Sequence, residues 1–167
     1  LASAAYPDIP LDRLSIVELV NAIGHFQQIA FATRHTPWDE YLLGSNQAIS
    51  NSAKAGALVF FGKGKCAACH SGPLFSDFDF HSLAVRQIGP GKNISSDDLG
   101  HFHVTEDTRD FYKFRTPPLR NVTLSAPYFH DGVAATLRTA GCTSDAVSDW
   151  CTTPSPLSDL RASFVDV

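Results

Sequence analysis

Residues 66–70 read Cys66-Ala67-Ala68-Cys69-His70, and this order of residue types specifies a chemistry. Two thiols separated by two residues fall on one face of a tight turn, where both can bond the edge of one porphyrin. The histidine that follows then reaches the iron as proximal ligand. Cys-x-x-Cys alone is shared with dithiol redox motifs and with halves of zinc sites. A zinc site wants a second ligand pair at short spacing, whereas the remaining cysteines, Cys142 and Cys151, stand far off with no histidine between them. A thioredoxin-like pair follows a strand in a βαβ pattern, and no alternating Val/Ile-rich strand precedes Cys66. The reading that remains is one covalent haem c on Cys66, Cys69 and His70.

The elements that must position this turn are legible around it. Ser15 and Glu18 form a capping box ahead of Ile16, Leu19, Val20, Ile23, Phe26 and Ala30, so an amphipathic helix is expected over 16–31. Thr36, Pro37 and Asp39 start a second helix whose apolar face is Trp38, Tyr41 and Leu42 and whose stop is Gly44. A third is expected from about Ser52 to Phe61, ending at Gly62 just before the haem turn. From Ser71 to Arg120, glycines and prolines punctuate the chain, and loop structure wrapped around the haem is expected. The fold class expected is mainly α, a cytochrome c-like haem domain with long ordered loops. Its parts are a helical lead-in packing on the haem domain (1–45), the haem domain (46–141) and an irregular tail (142–167).

Composition bounds the rest. A chain of 167 residues, 44% hydrophobic with 12 Phe, is about one domain with ample core. A formal charge of −4 leaves no electrostatic footprint for nucleic acid. Lys63 and Lys65 flank the haem motif and could steer an acidic electron partner, beside the plainer reading of solvated loop lysines. No run of about 18 apolar residues is present, so no membrane span is expected. The opening Leu-Ala-Ser-Ala-Ala reads as a mature or trimmed product. Haem c is attached outside the bacterial cytoplasm, which points to a periplasmic or otherwise exported protein. That oxidising compartment would let Cys142 and Cys151 pair as a disulfide. One porphyrin also buries apolar surface among short helices, so the haem-free chain should fold poorly.

Three further motifs follow the haem turn in order. They are Ser71-Gly72-Pro73-Leu74-Phe75-Ser76-Asp77, Phe114-Arg115-Thr116-Pro117-Pro118-Leu119-Arg120-Asn121-Val122, and Ala126-Pro127-Tyr128-Phe129-His130-Asp131-Gly132 with Ala135-Thr136-Leu137. Together with the lead-in before Gly62-Lys63, they resemble the C-terminal haem domain of the bacterial dihaem cytochrome c peroxidase and MauG family, over roughly residues 6 to 137. The resemblance implies two cytochrome c-like domains side by side, peroxide reacting at the N-terminal haem and the C-terminal haem feeding it electrons. This chain carries one Cys-x-x-Cys-His only. The catalytic haem is therefore expected on a second haem-bearing polypeptide, the product of a split or cleaved dihaem protein.

The resemblance also implies roles. Arg115 or Arg120 would pair a haem propionate, the alternative being an arginine that fixes the loop. Pro117 forms, with Pro118, a rigid wall, while Leu119 and Phe129 pack on the haem. His130 hydrogen-bonds near the haem or shapes the domain contact, with a distal-ligand role as the alternative. His81, His101 and His103 sit in the loop and are read as exposed, a place over the iron being the alternative. The carbonyls of Ser125 and Pro127 match positions that hold calcium between the domains, where the partner supplies a side chain. The family's sixth ligand, a methionine or a tyrosine, has no counterpart: the chain contains no methionine, and Ser144 stands where that ligand should fall, past Gly141. Tyr112 and Tyr128 are the remaining oxygen donors, read more simply as core aromatics.

Three functions are consistent with these residues. The first is an electron-transfer haem subunit relaying between an external redox protein, such as a small cytochrome or cupredoxin, and a catalytic haem elsewhere, with hydrogen peroxide as oxidant. The second is a single-haem peroxidase with an open distal iron site. The third is a plain monohaem electron carrier.

Overall fold

A computed structural model describes residues 2–85, 87 and 97–141. The Cys142 to Cys151 pairing, Ser144 and the tail over 142–167 lie outside the described residues. The chain divides into two compact units, Leu1–Arg34 and His35–Val167.

In the first unit α1 (Ala2–Ala5) and a 3-10 turn precede α2 (Ile16–Ala30). Ser15 caps α2: its hydroxyl accepts the Val17 N–H at 3.1 Å, and the Glu18 carboxylate accepts the Ser15 N–H at 2.7 Å. The Ser15 hydroxyl, which bonds the same carboxylate, is the first cause holding the Glu18 carboxyl below its ordinary value. No residue of α2 is buried, and Ile16, Leu19, Val20, Ile23 and Phe26 are each more than half exposed.

The second unit builds the core that carries the haem turn. Its first helix, α3 (Pro37–Leu42), opens on a reciprocal box: the Thr36 hydroxyl accepts the Asp39 N–H at 3.2 Å and the Asp39 carboxylate accepts the Thr36 N–H at 3.1 Å. Pro37 at the first helical position supplies a preset φ where no intrahelical donor is needed. Next comes α4 (Asn51–Phe61), capped by the Ser50 hydroxyl on the Ala53 N–H. Its buried residues, Ala53, Gly56, Val59 and Phe60, recur at helical spacing. Ala53 and Phe60 close on Trp38, Ile49 and Phe75 to form the core cluster. The Trp38 ring stacks on Phe61 at 5.7 Å between centroids and lies 6.2 Å from Phe75, within the range where aromatic pairs attract. A Thr36→Ala variant is expected to lose about 1 kcal/mol of stability, read from the denaturant midpoint of the haem-loaded chain. An unchanged midpoint would mean that the box does not stabilise α3.

Beyond α4 the chain is irregular, with β1 (Phe80–His81), α5 (Phe102–Thr105), β2 (Phe114–Arg115) and α6 (Leu137–Gly141) set among 3-10 turns. β1 and β2 pair antiparallel, with Phe80 opposite Arg115 and His81 opposite Phe114. The described chain is thus mostly helical with few strands. The three helices expected before the haem turn are present within one residue of their expected ends. The β1–β2 pair was not expected: strands of two residues carry no alternation to read. No helix among the described residues is long and apolar enough to cross a membrane.

Candidate functional site

The haem turn begins where α4 is forced to stop. Gly64 folds back so that its N–H donates to the Val59 carbonyl at 2.8 Å, and an added Cβ there would lie 2.8 Å from that same oxygen. Lys65 then takes the left-handed conformation, at φ 54° and ψ 14°, and launches the 3-10 turn Cys66–Ala68. The Cys66 carbonyl accepts both the Cys69 N–H, at 3.3 Å, and the His70 N–H, at 2.9 Å. This closure sets the two cysteines and the histidine on one compact loop, as the sequence spacing requires.

Neither cysteine forms a disulfide, and both are partly buried. Cys66 packs against the core cluster, and burial pushes its thiol up. Cys69 is also pushed up, first by desolvation and then by the negative charges of Asp77 and Asp79.

His70 is oriented from the core. The following loop doubles back, with the Ser76 N–H on the Ser71 carbonyl and the Asp77 N–H on the Cys69 carbonyl, each at 2.8 Å. That brings the Phe75 carbonyl to 2.8 Å from Nδ1 of His70. A carbonyl only accepts, so Nδ1 carries the proton and Nε2 keeps the lone pair for iron. Phe75 is itself fixed, since its ring is buried between Trp38 and Phe60. The His70 tautomer is therefore a consequence of core packing. The donor set fits a haem c, which when bound supplies one-electron chemistry.

The second motif braces this loop. The Thr116 carbonyl accepts the Ser76 hydroxyl at 2.7 Å, the Thr116 N–H donates to Asp79, and the Leu119 N–H donates to the Leu74 carbonyl. Leu119 packs against the Trp38 core cluster, and Pro117 and Pro118 are exposed. Arg120 reaches both partners of the loop at once: its Nη atoms donate to the Asp39 carboxylate at 2.7 and 3.1 Å, and Nε donates to the Pro73 carbonyl at 2.7 Å. Of the two roles open to it, loop anchoring is the one these bonds perform. Arg115 instead lays its guanidinium over the Phe78 ring at 4.7 Å and is exposed.

The third motif is gathered by Gly132, whose φ of 73° belongs to glycine and lets Tyr128 and Ala134 bond across the turn. His130 is exposed, stacked on Phe114 at 3.6 Å between centroids, with Nε2 3.1 Å from Oε1 of Gln87. Phe129 is half-buried with positive φ, while Ser125 and Pro127 are exposed. The Ser125 hydroxyl donates to the Val122 carbonyl. His101 stacks on Phe80 and lies 3.5 Å from an Asp110 carboxylate oxygen. Nε2 of His103 accepts the Leu99 N–H at 3.2 Å.

Sequence reasoning missed two partners. Asp39 was read as a helix start and part of the lead-in, yet it is also the anion that holds Arg120. His81, read as a loop histidine, binds Asp77 at 2.8 Å and lies with it close to Sγ of Cys69. The spacing of four between Asp77 and His81 was the available signal for the latter; nothing local announces the former.

No protein-family model matches the chain. It is similar to a cytochrome-c peroxidase, IdrP2, of Denitromonas iodatirespirans, with 30% identity over 75% of this chain and 40% of that protein. It is also similar to the methylamine utilization protein MauG of Methylophilus methylotrophus, with 34% identity over 77% of this chain and 36% of the relative. Among solved structures, a MauG-like protein associated with microbial copper homeostasis superposes with a TM-score of 0.64 at 30% identity. It covers 83% of this chain and 42% of its own. The chain thus spans about two fifths of the length of these relatives, and the motifs around Cys66–His70 fall within the part they share. Over that shared part, this haem-binding chain belongs to the cytochrome c peroxidase and MauG family.

Proposed function

We propose that this chain is an exported, covalent haem c electron-transfer subunit. It relays electrons from an external redox protein, such as a small cytochrome or cupredoxin, to a catalytic haem on a second polypeptide, where hydrogen peroxide is the oxidant. The observation that carries this reading is the single Cys-x-x-Cys-His in a chain about two fifths the length of its peroxidase relatives. In this arrangement Arg115, its guanidinium on an exposed ring, is the cation offered to a haem propionate. The Ser125 and Pro127 carbonyls await a calcium ion completed by the partner.

The absence of methionine from all 167 residues favours a second reading, a single-haem peroxidase whose iron is open on its distal side. One experiment separates the two. The isolated, reduced chain is expected to be reoxidised slowly by hydrogen peroxide and rapidly once the co-purifying haem polypeptide is restored. Rapid reoxidation of the isolated chain would select the open-iron enzyme and overturn the relay.

A further inference from the structure

β1 places an imidazole beside the sulfur that carries the haem. Nε2 of His81 lies 2.8 Å from Oδ2 of Asp77, and the donor atoms of Cys69, Asp77 and His81 all fall within 4.8 Å of one another. Asp77 is held by its own backbone, with its N–H on the Cys69 carbonyl at 2.8 Å. Its Oδ1 accepts the Asp79 N–H at 3.0 Å, which leaves Oδ2 for the imidazole. The His81 and Asp77 side chains are 37% and 25% exposed, so a proton on the pair exchanges with solvent.

We infer that His81, positioned by Asp77, is a redox-linked proton site of the haem. With haem attached, the His81 imidazole would take one proton from solvent as the haem gained one electron from its reductant, and would return it on oxidation. The inference rests on the haem being attached at Cys69, as proposed above. Its physical basis is reciprocity: a charge on the iron that disfavours imidazolium is itself disfavoured by imidazolium.

The loop carries the Asp77 and Asp79 carboxylates, and Cys69 becomes a neutral thioether once haem is attached. Across the ladder, β2 presents Phe114 opposite His81 and the neighbouring Arg115 is drawn over Phe78, while His101 stacks on Phe80 and, with Lys113, faces Asp110. Desolvation works against ionising Asp77, but bonds from the Asp79 N–H, His81 and Thr116 outweigh it and hold the carboxyl at about 2. The dyad's anion therefore stays charged wherever imidazoles titrate.

The test is a spectroelectrochemical titration of the haem-loaded chain between about pH 5 and pH 8, the range in which histidines change charge. The native chain is expected to shift its reduction equilibrium on the order of tenfold towards the reduced form at the acid end. His81→Gln is expected to flatten that dependence while leaving haem content and visible spectrum unchanged. Asp77→Asn, which keeps the bond to the Asp79 N–H, is expected to move the inflection to lower pH, because the imidazolium loses its counter-charge.

An unaltered slope in His81→Gln would overturn the inference and assign the proton to a propionate or another group. A changed iron spectrum would overturn it by making His81 a ligand. Should His81→Gln fail to load haem, an unmoved inflection in Asp77→Asn overturns it equally. The measurement needs no second polypeptide, so its failure leaves the relay standing, and failure of the relay leaves it standing.

Discussion

A His70→Gly variant is expected to keep its haem covalently attached and to lose native iron coordination. On the proposed attachment through Cys66 and Cys69 the substitution touches neither anchor, so the mass of the chain should still include one porphyrin. The iron loses the Nε2 lone pair that the bond between Nδ1 of His70 and the Phe75 carbonyl makes available. Because axial ligands move haem potentials over a wide range, the midpoint is expected to shift on the order of a few tenths of a volt, with a matching change in the visible bands. Free imidazole should restore the native spectrum, since the vacated space still presents the Phe75 carbonyl, held in place by the buried Phe75 ring. A His70→Gly spectrum identical to the native one would show that another group holds the iron.

Replacing Arg120 with alanine is expected to be the most damaging change outside the haem turn, costing about 3 kcal/mol. The Arg120 and Asp39 side chains are only 14% and 23% exposed, so truncation strands a partly buried carboxylate and also frees the Pro73 carbonyl. Its effect spreads because Arg120 ties the N-terminus of α3 to the loop that carries Phe75. The pH dependence has a definite sign. The Arg120 hydrogen bond, the largest cause, holds the Asp39 carboxyl at about 2, below its unfolded value. A depressed carboxylate stabilises the fold fully above the unfolded value and loses that contribution as pH falls through about 4 towards 2. Denaturant midpoints at near-neutral and acid pH should therefore converge for native chain and Arg120→Ala on the acid side and separate on the neutral side. Equal midpoints at neutral pH would show that the pair contributes nothing.

What the sequence made legible was whatever is local. The boxes Ser15 with Glu18 and Thr36 with Asp39 close within three residues, and both helices start where these residues place them. The Cys66–His70 turn is local in the same sense, because the Cys66 carbonyl closes it on the Cys69 and His70 N–H groups. Long-range partners were not legible. Asp39 and Arg120 stand 81 residues apart, and a guanidinium beside a Pro-rich turn serves a propionate or a carboxylate equally well until the partner is seen. Phe75 looked like one apolar residue among many, yet its backbone carbonyl fixes the His70 tautomer, a role that side-chain type cannot announce. His81 became meaningful only once the loop doubled back and set Asp77 against Cys69.

The central claim, a haem c subunit that works beside a second haem polypeptide, is tested most directly by native mass spectrometry of the protein as purified from its own cells. The account predicts that this chain weighs its sequence plus one haem and travels in a complex with a second, covalently haem-bearing polypeptide. A chain found without covalent haem, or with its haem but alone at every concentration, would contradict it.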